Sequence, residues 1–229
     1  MIRLLTFFAA ALLFTACIGE DVLDDYVQPT IRLADFPDTL EAGTSFQLST
    51  RFFNNVGAEE QADATWSTGD ETILTVDQTG LATGITEGST TVTASYTDVQ
   101  FGETATVTET MIVGASTVII DEPEVRTGTI ATTSSYKLTG NFTLSETEDE
   151  GLQLTFADDY DADRGLPGLY AYLSNNPRSR AGAYEIGKVE IFRGAHTYDI
   201  AGVDINDFKY VLYFCKPFDV EVGSGLIEE

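Results

Sequence analysis

The chain is short of the residues that most chemistry needs. It holds one histidine, one tryptophan and two cysteines, and twelve basic residues stand against thirty-seven acidic ones. With a single histidine, a Ser–His–acid triad or a multi-histidine metal site must run through His196 or not exist. A formal net charge of −25 rules out phosphate backbones as natural partners, nucleic acid among them. It also repels anionic lipid and favours cations. A bilayer-crossing helix needs about 20 apolar residues, and the one long apolar stretch, Leu4 to Phe14, falls well short. Helix-period apolar patterns are nearly absent while Thr, Gly, Val and Tyr are plentiful, so the chain is mostly β.

What is present begins with that apolar stretch. Arg3 precedes it and Thr15-Ala16-Cys17 closes it. A basic start, an apolar core and small residues before a cut make residues 1–16 a secretory signal peptide. The closing residues resemble the lipobox of bacterial lipoproteins, where the signal peptidase cuts before a Cys already carrying diacylglycerol. Phe14 stands where that family usually has Leu, Val or Ile. The resemblance implies that Cys17 is the lipid attachment site and that membrane lipid is a partner. It places the protein in the cell envelope, at the outer membrane of a Gram-negative bacterium. Residues 17–28 are acidic and unpatterned and read as a tether. A lipidated Cys17 cannot pair with Cys215, so no intramolecular disulfide is expected.

From residue 29 to 114, short alternating runs such as Thr30-Ile31-Arg32-Leu33, Ile73-Leu74-Thr75-Val76 and Thr90 to Tyr96 are separated by Gly-containing turns. Half-buried strands at this spacing around a single Trp predict a β-sandwich. The order Trp66-Ser67, Leu74-Thr75-Val76-Asp77, Gly80, Gly84, Gly88 and Thr91-Val92-Thr93-Ala94 resembles the bacterial immunoglobulin-like domain, group two. That family supplies spacers and adhesive modules on cell-surface proteins. Trp66 is expected in the core. Residues 115–125 read as a linker with an embedded apolar run, Thr117-Val118-Ile119-Ile120, and the break falls near Asp121-Glu122-Pro123.

Residues 126–229 carry a second series of strand-like runs, including Leu152 to Phe156, Leu169 to Ser174, Lys188 to Phe192, His196 to Ile200 and Tyr210 to Cys215. The expected fold class is therefore all-β, two sandwich-like domains in tandem. Gly128, Gly140, Pro167, Tyr172-Leu173-Ser174, Gly194 to Tyr198 and the closing Phe214-Cys215-Lys216-Pro217-Phe218 resemble the DM-thirteen domain, a family labelled for electron transfer. Phe214 replaces that family's usual Trp, and Gly168 stands where Asp commonly follows the Pro.

The resemblance makes Cys215 a candidate redox residue or ligand, and so admits a redox centre as cofactor. One thiol without a partner cannot cycle an internal disulfide, and an apolar strand around it favours simple packing. Asp159, Asp161 and Asp163 carry an Asp-x-Asp-x-Asp spacing that can turn carboxylates onto calcium, although an EF-hand would need other residues at its sixth and twelfth positions. His196 alternates with Tyr198 and reads as an edge or surface residue. Arg178 and Arg180 form the one small basic loop. Together these features predict a non-catalytic, lipid-anchored binding or structural module. An Ig-like spacer would hold the DM-thirteen-like domain away from the membrane, and its partner would be an envelope protein or a glycan. A redox accessory and a surface adhesin are the alternatives.

Overall fold

Alternation of apolar and hydroxylated residues becomes strand almost everywhere in a computed structural model, which describes residues 25–99, 102–119, 124–147 and 151–228. The leader, Cys17, the tether before Asp25 and the Asp121-Glu122-Pro123 break lie outside the described residues.

The first unit holds ten strands: β1 (Thr30–Ala34), β2 (Thr39–Glu41), β3 (Ser45–Gln47), β4 (Ser49–Phe53), β5 (Glu59–Glu60), β6 (Thr65–Thr68), β7 (Leu74–Val76), β8 (Leu81–Gly84), β9 (Gly88–Thr97) and β10 (Thr104–Gly114). They form three sheets, ordered β2-β10-β9-β6, β1-β4-β5 and β3-β8-β7. Ser45 to Phe53 alternates in the period of two along its whole length, yet the strand is broken at Leu48, whose N–H donates to the Gly80 carbonyl at 3.0 Å. One half then pairs with β8 and the other with β1. Along β9, Thr90, Val92 and Ala94 turn inward while Thr91 is exposed, the period of two that a half-buried strand requires. Leu40, Leu48, Phe52, Leu74, Val92 and Met111 from the three sheets share one core with Trp66, which is 8% exposed. The linker's apolar run stays with this unit through a bridge between Val118 and Thr39. Val118 and Ile119 nevertheless remain 39% and 64% exposed, so these two are not withdrawn from water.

The second unit is a single nine-stranded sheet. Its strands are β11 (Val125–Thr132), β12 (Leu138–Glu146), β13 (Gly151–Phe156), β14 (Asp161–Ala162), β15 (Leu169–Ser174), β16 (Tyr184–Lys188), β17 (His196–Ala201), β18 (Tyr210–Cys215) and β19 (Val220–Leu226). The order is β16-β15-β18-β19-β11-β12-β13-β17, with β14 beside β12. The Tyr184 hydroxyl on one edge strand reaches the Ala201 carbonyl on the other at 3.3 Å. The sheet thus curls over its own core, which buries Leu144, Leu154, Phe156, Leu169, Val211 and Tyr213. The expected strand from Lys188 to Phe192 is irregular beyond Lys188. Val189 is buried there, donating to the Leu169 carbonyl at 2.9 Å, so packing holds the segment without a ladder.

Candidate functional site: the junction of the two units

Between residues 29 and 114 the sequence has only two cations, Arg32 and Arg51. Both sit on the paired strands β1 and β4, where they are direct cross-strand partners, and both reach the second unit. Arg32 donates through Nη2 to Asn175 Oδ1 at 2.7 Å and through Nη1 to the Asn206 carbonyl. Arg51 grips Glu59 with two nitrogens, at 3.0 and 2.7 Å, and turns Nη1 onto Asp207. The two guanidinium groups lie 4.5 and 5.5 Å from the centre of the Phe53 ring, which is 3% exposed. Cations over an aromatic face gain from its quadrupole and cover it from water. The fork of Arg51 holds the Glu59 carboxyl below the usual carboxylate range, and Glu59 in turn raises the Arg51 pKa.

The second unit meets these arginines with two loops, one after β15 and one after β17, joined by hydrogen bonds. Asn175 donates to the Asp207 carbonyl at 2.8 Å, and Asn176 donates to the Val56 carbonyl at 3.0 Å across the junction. Asp204, Asn206 and Asp207 shape each other: Asn206 N–H donates to Asp204 Oδ1 at 2.8 Å, and Asp204 N–H to Asp207 Oδ2 at 2.9 Å. Two glycines allow the backbones to touch. A Cβ on Gly57, at φ +80°, would stand 2.8 Å from the Asn175 carbonyl carbon. A Cβ on Gly182, at φ +64°, would stand 2.9 Å from the Ala58 Cα. Clefts of about 360 Å³, beside Arg32, Arg51 and Asp204, and about 310 Å³, beside Phe53, Asn175 and Lys209, flank the contact. Clefts between domains are common binding places.

The residues singled out from the sequence lie elsewhere and are not brought together. Cys215 is 2% exposed, on the inner face of β18 in the second core. The three aspartates separate. Asp159 accepts from Asn141 N–H at 3.0 Å, Asp161 pairs with Lys137 and with Arg193 at 2.9 Å, and Asp163 caps its own turn by accepting from Gly165 N–H at 2.7 Å. Lys137 first, then Arg193, holds the Asp161 carboxyl below its ordinary pKa against desolvation. Among the described residues no three His, Cys, Asp or Glu side chains gather as a cation site.

His196 does open an edge strand, β17, but it is not at the surface. It is 9% exposed and stacks on Phe156 at 4.9 Å, with Tyr160 edge-on at 4.5 Å. Its Nδ1 lies 2.9 Å from the Gly194 carbonyl, and its Nε2 is buried without a partner, as are the Tyr160 and Tyr213 hydroxyls. Burial lowers the His196 pKa and raises those of all three neighbouring tyrosines, Tyr198 to about 12. Arg180 also departs from a solvated loop: it pairs with Asp219 and covers Phe214, with 5.2 Å from guanidinium to ring centre. Sequence reasoning missed the junction because Asn and Gly at turns look ordinary. The signal that was there is the isolation of Arg32 and Arg51 in a chain segment otherwise without cations.

Fold and junction together define an all-β module of two units held by side-chain forks, aromatic cover and close backbone contact. Its residues 33–107 match the family model of the bacterial Ig-like domain, group 2. No curated protein matches the chain. Domains of that class are generally non-enzymatic and occur in bacterial surface and envelope proteins. Among the described residues no helix is long and apolar enough to cross a membrane.

Proposed function

We propose that the protein is a lipid-anchored envelope component, attached through Cys17, in which the Ig-like unit and a DM-thirteen-like unit act as one non-catalytic binding or structural module. The observation that carries this reading is the junction. Arg32, Arg51, Asn175, Asn176, Gly57 and Gly182 are all committed to holding the units against each other, an arrangement that presents a fixed composite surface. Burial of Cys215 weighs against thiol chemistry in the folded state, because reactive thiols sit in accessible, electropositive surroundings.

Two measurements test the reading. Maleimide should leave Cys215 unmodified in the native protein and modify it in denaturant; rapid native labelling would restore the redox alternative. Metabolic labelling with a fatty acid should mark the chain and fail on Cys17→Ala, with loss of membrane retention. An unlabelled wild-type chain would remove the anchor.

A further inference from the structure

The strap ahead of β1 runs into the junction. Asn176 donates to the Asp25 carbonyl, Val27 N–H donates to the Asn55 carbonyl at 2.7 Å, and the Tyr26 hydroxyl donates to Glu103 Oε1 at 2.6 Å. Three consecutive residues therefore touch the second unit, the Asn54–Gly57 turn and the hairpin joining β9 to β10. Glu103 belongs to the tip of that hairpin, since its carbonyl accepts from Asp98 N–H at 2.8 Å. The far end of the same hairpin, where Gly88 pairs with Val113, is a strand's length away, about 30 Å at roughly 3.3 Å per residue.

We infer that this junction end is the face that lies against the lipid surface, so that both units sit beside the membrane and the Ig-like unit does not hold the second one at a distance. The inference rests on the reading of Cys17 as the anchor. Cys17 and Asp25 are eight positions apart. A fully extended chain spans at most about 3.3–3.6 Å per residue, which keeps Asp25 within about 30 Å of the acylated residue. A flexible chain of that length averages only about 16 Å end to end. Only a tether stretched to its limit would match the roughly 30 Å length of the Ig-like unit, and one of average extension covers about half of it, which favours the junction end at the bilayer.

The rim around the strap has matching chemistry. Val99, at the hairpin tip, is 93% exposed, and Tyr26 is 53% exposed, an amphipathic ring of the kind that settles at headgroup depth. Asn176, which holds the strap, leads within two residues to exposed Arg178 and then to Arg180. Arg178, on the one basic loop of a strongly acidic chain, thus lies on the side where lipid phosphates would be, while Arg180 is taken up by Asp219 and Phe214. Exposed carboxylates stand at both ends, Glu59, Glu60 and Asp204 at the junction and Glu71 and Glu87 at the far end, so Val99, Tyr26 and Arg178 are what set the junction end apart.

The test uses the full lipidated chain, reconstituted in vesicles of phosphatidylethanolamine and phosphatidylglycerol doped with a quencher carried on the lipid headgroup. Fluorophores are attached singly to Val99→Cys, Arg178→Cys and Glu87→Cys. Positions 99 and 178 should lose most of their emission while position 87 keeps nearly all of it. Equal quenching at all three, or stronger quenching at 87, overturns the orientation. The mass of the N-terminal peptide separates the two possible failures. Without diacylglycerol on Cys17 the anchor reading falls and takes the orientation with it; with it, adverse quenching removes the orientation alone.

Discussion

A Cβ on Gly57 would enter the backbone of Asn175 at 2.8 Å, and the residue already has φ +80°. Ala there meets two penalties at once, a left-handed conformation and a clash across the junction. Gly57→Ala should therefore lower stability by more than about 1 kcal/mol, read as a reduced midpoint in urea. His196 supports a second prediction at this scale. Its folded pKa is lowered by burial from about 6.5 in the unfolded chain, so between those values the unfolded state binds more protons. Its contribution is fully present above pH ~6.5 and is lost as pH falls toward the folded pKa. His196→Phe keeps the stack on Phe156 and removes the titration. The variant should lose less stability than wild type between pH 7 and 5 in parallel chemical denaturation, and equal losses would refute the assignment. Residue chemistry was legible only in part. Trp66 reads as core from its place in an alternating strand, whereas His196, flanked by Gly194 and Tyr198, gives no local sign that Phe156 and Tyr160 will enclose it.

Among the strands, β18 shows how two-sided burial follows from composition. Val211, Tyr213 and Cys215 face the inner core while Leu212 and Phe214 form an outer cluster with Tyr172. A near-continuous apolar run is what a strand covered on both faces requires, and Tyr210 to Cys215 is such a run. The cover on the outer side is Arg180, not another sheet. Arg180→Ala should cost about 1 kcal/mol through lost cation–π contact, and Cys215→Ser about 1–3 kcal/mol by placing a hydroxyl in the core. Thermal denaturation of both variants would rank them in that order. The strands themselves could be read from alternation and turn residues. The break at Leu48 and the irregular path after Lys188 could not, because each is set by a partner remote in sequence, the Gly80 carbonyl in one case and the Leu169 carbonyl in the other.

Over the whole molecule, the junction decides whether two units behave as one. Hydrogen bonds to a charged group contribute about 1.5–3 kcal/mol each, less where water reaches them, and Arg32 and Arg51 make several across the contact. The wild type should unfold in one cooperative transition. The double variant Arg32→Ala, Arg51→Ala should show two transitions in calorimetry and a larger radius of gyration in solution scattering, and one unchanged transition would show that the arginines are not the clamp. By itself the sequence determined the all-β class, the acidic balance and the Ig-like segment, because periodicity, composition and turn chemistry are local properties. The tertiary structure alone decided that Asp159, Asp161 and Asp163 part company, that His196 is enclosed and that Arg32 and Arg51 face a second unit. Each of those outcomes depends on which distant residue arrives opposite, and no local pattern of side chains encodes that meeting.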